Sequence, residues 1–510
     1  MHFSRSCGIL LHPTSLPGRF GIGDFGSEAY AFADFLAASG QSFWQVLPLS
    51  PPGFGNSPYQ AYSAFAGNTY LISPERLLGD GMLSEGDLET APRFPDDTVD
   101  FGRCIDYKKA LLEKAFENFK RSDLLQVRED FHNFGQYAKG WLDDYAIFRA
   151  LEEQHSGAVW NNWEPGLAKR DPEAVSAAMP KLGDRVDAHK FFQYVFFKHW
   201  LALKTYCNNR GIKIIGDMPI FVAHDSVDVW AHPELFKLDS EGNPLVVAGV
   251  PPDDFSETGQ LWGNPLYDWD RMQGDNFNWW VERMRATLDI VDLVRMDHFR
   301  GFAAYWEVPA GEQTAESGRW VEAPGDELFA VLREAFGELP VIAEDLGTIT
   351  PDVEALRDRV GFPGMRVLQF AFGGDSRNPH LPHNYVSNSV AYTGTHDNDT
   401  AAGWFNSQPR EGGVHTAEQV ARARAHCLKY LASDGSRIHW DFVRAVVASV
   451  ADVAIIPLQD LLGLDSRARM NVPAIEKGNW GWRFQKDSLT SELSHELREM
   501  TSLYGRLPER

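Results

Sequence analysis

The sequence predicts an α/β fold, a closed (β/α)8 barrel with large inserted subdomains on the face formed by the C-terminal ends of its strands. Three observations lead there. Eight short β-rich runs alternate with helical stripes, an order that favours a parallel sheet. The 510 residues exceed one ordinary core, taken as about 150 residues, yet two long interruptions of the alternation are compatible with a single barrel that hosts insertions. Carboxylates stand at the ends of several runs, where such barrels place their chemistry. A doubly wound open sheet is the competing arrangement.

The first run, Gly8 to Leu11, is followed by a helix expected to be capped by Ser27, to carry Ala29, Phe32, Ala33 and Leu36 inward, and to end at Gly40. The second run is Phe43 to Leu47. Residues 50–190 then break the rhythm with helical patterns over Ala110 to Phe119 and Tyr145 to Glu153, and read as a mainly helical insertion between strands two and three. After the third run, Ile212 to Gly216, residues 217–270 read as a loop-rich insertion containing Pro251-Pro252 and Gly259 to Pro265. The stripe Phe277, Trp280, Val281, Met284 and Leu288 leads into the fourth run, Val291 to Met296. A helix capped by Asp326 and closed by Gly337 precedes the fifth run, Val341 to Glu344. Thr350-Pro351 opens the next helix, ahead of the sixth run, Met365 to Phe370. The seventh run is Val390 to Thr393, Thr416 and Gln419 form a capping box, and Val453 to Ile456 is the eighth run. The whole of 1–510 thus reads as one catalytic barrel, with both interruptions above its catalytic face.

Composition bounds the function. Apolar residues make up 44% and charged residues 23%, an ordinary globular profile. Lys and Arg total 48 against 71 Asp and Glu, and a net charge of −23 repels nucleic acid and anionic membranes. Met1 to Ser15 lacks a signal-peptide core, and no uninterrupted apolar stretch reaches the roughly 18 residues of a membrane span. A cytoplasmic protein is expected. Cys7, Cys104, Cys207 and Cys427 have no metal or disulfide spacing, which suits a reducing compartment. The 16 Trp and 15 Tyr are numerous enough to suggest stacking on sugar rings or other flat ligands, although large cores also use them.

At the end of the fourth run, Arg295 and Asp297 share one face by the two-residue strand period. The cation is expected to lower the pKa of Asp297 and keep it ionised; a purely structural ion pair gives the same pattern. Glu344 ends the fifth run, while Asp345 faces the other way. The seventh run is followed by His396 and Asp397. Any one of these acids alone reads more simply as a helix cap, but three in neighbouring units either hold a metal or handle protons and sugar cations. Metal binding is disfavoured: His224, Asp225 and Asp228 have suitable spacing, yet a helix N-terminal turn accounts for them. Retaining glycosidic chemistry needs two carboxyl groups about 5–5.5 Å apart. Adjacent strands lie about 4.8 Å apart, so the fourth and fifth can supply the pair.

The run Arg295-Met296-Asp297-His298-Phe299-Arg300-Gly301, with Ala343-Glu344-Asp345-Leu346-Gly347 and Gly394-Thr395-His396-Asp397, is similar to the signature regions of the amylomaltases, the 4-α-glucanotransferases of the α-amylase superfamily. Four further stretches agree: Ser57-Pro58-Tyr59-Gln60 through Gly67-Asn68, Gly216 to Phe221, Pro251 to Pro265, and Gly478-Asn479-Trp480. The stretches follow in order from Ser57 to Trp480, and the resemblance is taken over residues 8–483, nearly the whole chain.

The resemblance implies α-1,4-glucans and malto-oligosaccharides as donor and acceptor, with no cofactor and no metal. Asp297 would be the nucleophile, Glu344 the general acid and then base, and Asp397 the group that holds sugar hydroxyls and stabilises the distorted transition state. Arg295 would tune Asp297. Asp217 and His396 would bind hydroxyls, Tyr59 would stack on the donor ring, Gln260 and Trp262 would lie on a flexible loop over the cleft, and Asn471 would close it. Residues 249–265 would be the lid that keeps water from the intermediate. For Tyr59 and Trp262, core packing is the plainer alternative. Two positions depart from the family: Ala474, where glycine is expected, and Asp465, where a small residue is usual. A hydrolytic amylase using the same carboxylates and a non-catalytic glucan-binding protein are the rival functions.

Overall fold

The computed structural model describes residues 3–122, 125–252, 256–408, 416–473, 475 and 477–508. Its twelve strands among these residues, in chain order, are β1 (Ser6–Leu10), β2 (Phe43–Gln45), β3 (Lys213–Met218), β4 (Val246–Val250), β5 (Gln260–Pro265), β6 (Leu293–Met296), β7 (Ala304–Pro309), β8 (Arg319–Glu322), β9 (Val341–Ala343), β10 (Gly364–Val367), β11 (Ser389–Tyr392) and β12 (Val453–Pro457).

Eight of them close a barrel in the order β1-β2-β3-β6-β9-β10-β11-β12, returning to β1. These are the eight runs expected, and every pairing between them is parallel. The open-sheet alternative is therefore excluded. Closure explains the near-continuous apolar strands: Val453, Ala454, Ile455 and Ile456 are all fully buried, as a strand covered by helices outside and side chains inside must be. Truncating Ile455 to Ala there should cost about 2–5 kcal/mol. Inside the barrel the Tyr392 hydroxyl donates to Gln45 Oε1 at 2.9 Å, satisfying two buried polar groups across the lumen. Gly8 lets β1 and β2 approach, since a Cβ there would lie 2.5 Å from that of Phe43.

The helices follow the expected stripes, with two changes at their starts. The helix Ser27–Ala38 is entered from Gly26, so Ser27 is its first residue and not its cap. Pro324 precedes the helix Gly325–Phe336, and Asp326 sits in its first turn, paired with Arg359. Thr416 and Gln419 do form a reciprocal capping box. Within 50–190 the helices Phe101–Arg121 and Leu142–Gln154 pack against a 37-residue helix, Pro172–Asn208, that runs on past residue 190 into the barrel layer. The insertion and the barrel are thus joined through one rigid element.

The second interruption differs from its sequence reading. Residues 217–270 are not simply loop: β4 and β5 form an antiparallel pair inside them. They extend across β7 and β8, which follow the fourth barrel strand, into a four-stranded sheet ordered β5-β4-β7-β8. No helix among the described residues is long and apolar enough to cross a membrane. All four cysteines are free and buried.

Candidate active site

Strand register assembles the first half of the site. Asp217 on β3 lies directly opposite Arg295 on β6, and Arg295 Nη1 bonds both Asp217 oxygens at 2.8 Å and Asp297 Oδ1 at 2.9 Å. One guanidinium therefore serves two carboxylates. The Asp217 side chain has no exposed surface, and that of Arg295 has 4%. Burial pulls the Arg295 pKa down, but Asp217 and Asp297 outweigh it and hold the cation firmly charged. The Tyr59 hydroxyl donates to Asp217 Oδ2 at 2.8 Å. Burial first, then the Asp217 charge, pushes that phenol well above its usual range and keeps it a donor.

Glu344 follows β9 on the neighbouring stave. Met296 pairs with Ala343, Glu344 N donates to the Met296 carbonyl, and Phe299 N donates to the Glu344 carbonyl at 3.0 Å. Asp297 and His298 together therefore occupy the ladder position opposite Glu344. The extra residue is absorbed by His298, a non-glycine residue at φ 49°, a conformation that costs about 1–3 kcal/mol. The turn aims the His298 N–H at Glu344 Oε2, 2.7 Å away, while Leu346 N–H donates to Oε1 at 2.9 Å.

The Asp297 expectation needs correction. Its pKa is not lowered but raised, to about 7: burial is the largest cause, Arg295 opposes it, and Asp217 and Asp397 add to it. The sequence shows the cation beside Asp297 but not how little water reaches the pair. Some 26% of the Asp297 side chain still faces the cleft. Glu344, 9% exposed, is likewise raised, through burial first, with Arg295 and the two N–H donors restraining it and the Asp297 charge adding to it. The two acids titrate as a pair, both lifted by burial, and Arg295, bonded to Asp297, favours the charge on that member. Such a pair can present a carboxylate and a carboxylic acid at the same time.

The second half is built by loops after β11 and β12. Asp397 keeps 44% of its side chain exposed and lies 3.3 Å from His396 Nε2. Asn471 Nδ2 donates to Asp397 Oδ1 at 2.6 Å. The His396 ring stacks on Tyr59, with centroids 5.2 Å apart and planes at 17°, and Trp480 packs on both. One face of Tyr59 is thus already occupied by protein. Burial holds His396 below its usual pKa, opposed by Asp397.

Gln260 and Trp262 lie on the sheet strand β5 and not on a loop, and Gln260 Oε1 accepts from Trp262 Nε1 at 3.2 Å. The Trp262 ring meets His298 edge to face at 4.7 Å. Gln60 Nε2 ties the Tyr59 turn to Asn264 at 3.3 Å. The segment 249–265, read as a lid, includes 253–255, which lie outside the described residues; its described ends are strand.

Contacts and the β6–β9 ladder therefore connect all ten predicted site residues: Tyr59, Asp217, Gln260, Trp262, Arg295, Asp297, Glu344, His396, Asp397 and Asn471. Sequence reasoning gave no role to the His298 N–H, to Trp480 or to Arg469, although the first two stand inside quoted motifs. A backbone donor is invisible in side-chain patterns, and Arg469 carries no spacing signal. Ala474 lies outside the described residues; Asp465 is an exposed turn residue that accepts from Arg467. His224, Asp225 and Asp228 do not converge on one point. Ser226 caps the helix Val227–Ala231, Asp228 accepts from Ala64 N, and His224 Nε2 lies 2.8 Å from the Gly242 carbonyl. Among the described residues no group of three or more His, Cys, Asp or Glu could hold a metal ion.

Residues 11–490 match the family model described as 4-alpha-glucanotransferase. The chain is 51% identical over 505 residues to a 4-alpha-glucanotransferase of Synechocystis, covering 98% of each chain. It is 49% identical to that of Thermus thermophilus, covering 99% of this chain and all of the relative. Among solved structures, an amylomaltase from Streptococcus agalactiae in complex with acarbose superimposes with a TM-score of 0.94 at 42% identity, covering 99% of this chain and all of the other. With matches this extensive over nearly its full length, the chain belongs to the 4-α-glucanotransferase family.

Proposed function

We propose that this chain transfers α-1,4-glucan segments between malto-oligosaccharides by a retaining double displacement. The observation that carries the reading is the pair on adjacent staves, Asp297 bonded to Arg295 and Glu344 more deeply buried without that contact, both acids lifted by burial. Asp297 Oδ attacks the anomeric carbon while Glu344 gives its proton to the glycosidic oxygen; the C–O bond breaks, an ester forms, and the shortened glucan leaves. The 4-hydroxyl of an acceptor then attacks that carbon from the vacated side, Glu344 takes the hydroxyl proton, and Asp297 is released. Two inversions give net retention.

The other residues have supporting roles. Arg295 steadies the Asp297 carboxylate in both states. Asp217, whose side chain has no exposed surface, holds Arg295 and Tyr59 and does not itself reach the donor; His396 binds donor hydroxyls, Asn471 holds Asp397, and Asp397 stabilises the distorted sugar as positive charge develops. Tyr59, packed against His396 and Trp480, supports the donor side, and Gln260 and Trp262 border the cleft beside His298. Transfer in preference to hydrolysis requires the closed cleft to favour a sugar hydroxyl over water.

Incubation with maltotriose tests the reading. Redistribution into shorter and longer chains at a nearly constant reducing-end count is expected. A steadily climbing count would assign the same residues to a hydrolase.

A further inference from the structure

We propose that Arg469 is a positioning residue for Asp397, acting through the backbone without touching substrate. The proposal rests on the role assigned to Asp397 above. With 44% of its side chain exposed, Asp397 is held by few direct contacts, and its aim depends on the peptide that carries it. Arg469, on the loop after β12, grips that peptide: Nη2 donates to the Asp397 carbonyl and Nε donates to the Asn471 carbonyl at 2.7 Å. Asn471 completes the bracket, its N–H donating to the His396 carbonyl at 3.0 Å and its Nδ2 to Asp397 Oδ1. One guanidinium therefore fixes both the main chain of Asp397 and the residue that holds its carboxylate.

The turn bearing Asp397 has separate anchors. Asp460 accepts from the Thr393 hydroxyl at one end and from Ala401 N at the other, at 2.5 and 2.6 Å. Asn398 Oδ1 closes the turn on Thr395. Losing Arg469 leaves the turn attached and frees the peptide that aims Asp397. The two carbonyls suit the fixed planar fork of arginine; a lysine ammonium, a point donor on a flexible stem, reproduces the grip only in part. The consequence is a rate effect, because Asp397 does its main work as charge develops in the transition state.

The test is a double-mutant cycle on the full chain with maltotriose as substrate. Arg469→Gln is expected to lower kcat by up to about 10²-fold, the scale of a small misplacement in a catalytic site. KM should stay within about threefold, since a transition-state interaction is lost. Arg469→Lys should recover part of kcat, and the thermal midpoint should match that of the wild type. In an Asp397→Asn background, Arg469→Gln should cost less than about a further twofold, because coupled residues are not additive. Full multiplication of the two losses, or a change in KM alone, would overturn the proposal while leaving the Asp397 role intact. Wild-type kcat in Asp397→Asn would instead overturn that role, and the proposal with it. If Arg469→Gln does not fold, Arg469→Lys supplies the same cycle with a smaller first step.

Discussion

The two halves of the site are made differently. On the β3–β6–β9 side, Asp217, Arg295, Asp297 and Glu344 sit at or just beyond strand ends, and parallel register sets their spacing. On the β11–β12 side, Asp397 and Asn471 stand on loops held by side-chain bonds, and Asp397 is 44% exposed where Asp217 is sealed. The strand side shapes proton affinity through burial. The loop side contributes aim. In the proposed mechanism, chemistry that depends on pKa thus falls where the scaffold excludes water, and chemistry that follows a distorting substrate falls where loops meet solvent.

Substitutions can break this contrast. Replacing Asp297 with Asn should have the largest effect, a loss of kcat on the order of 10⁴-fold or more, as for other nucleophiles acting in a unit. A covalent adduct trapped on that variant would contradict the assignment. Glu344→Gln should cost about 10²–10⁴-fold with ordinary glucans, the range of general acid catalysis. With a glycosyl fluoride donor, whose leaving group needs no proton, formation of the intermediate should be largely restored; equal losses on both donors would remove Glu344 from the acid role.

The pH profile sharpens the pair itself. In the proposed double displacement Asp297 works ionised and Glu344 protonated, so the rate should rise with pH as Asp297 loses its proton and fall as Glu344 does, both limbs lying above the ordinary carboxylate range because burial lifts both acids. Glu344→Gln assayed with the fluoride should lose the upper limb only.

A stability measurement separates the halves more directly. Asp217→Asn removes one carboxylate from a buried guanidinium and should cost about 3 kcal/mol in denaturant unfolding, the low end for such pairs, because Arg295 keeps Asp297. Asp397→Asn disturbs a solvent-exposed contact and should cost less than about 1 kcal/mol. Equal costs would erase the distinction drawn here. A similarly small effect is expected at Trp262→Ala, which removes an edge-to-face contact with His298 worth about 0.5–1.5 kcal/mol. A modest rise in hydrolysis relative to transfer should accompany it, read as reducing ends released from maltotriose.

Much of this site was legible before any coordinates. The barrel strands announce themselves because parallel strands buried on both faces must be apolar throughout, as in Val453 to Ile456. The carboxylates stand out because they end such runs. The four-stranded sheet escaped notice for converse reasons. Its edge strand β8 is largely exposed and shows no buried alternation, β5 contains Gly263 and ends at Pro265, and β4 pairs with β7, some sixty residues away. Two helices start earlier than their expected caps imply, by one residue at Ser27 and by two at Asp326, because neighbouring polar and turn-forming residues offer a helix several starts.

The amino-acid sequence by itself determined the eight-stave scaffold, the order of its strands and which acids stand at the rim, since periodicity and register depend on local chemistry. Tertiary structure alone decided that Asp297 and Glu344 are both lifted, because the balance between desolvation and a neighbouring cation depends on how much water the assembled walls exclude. It also decided that a His298 peptide N–H and an Arg469 guanidinium help hold the site. Both act through the backbone, whose donors and acceptors are the same at almost every residue and acquire direction only when the chain is folded.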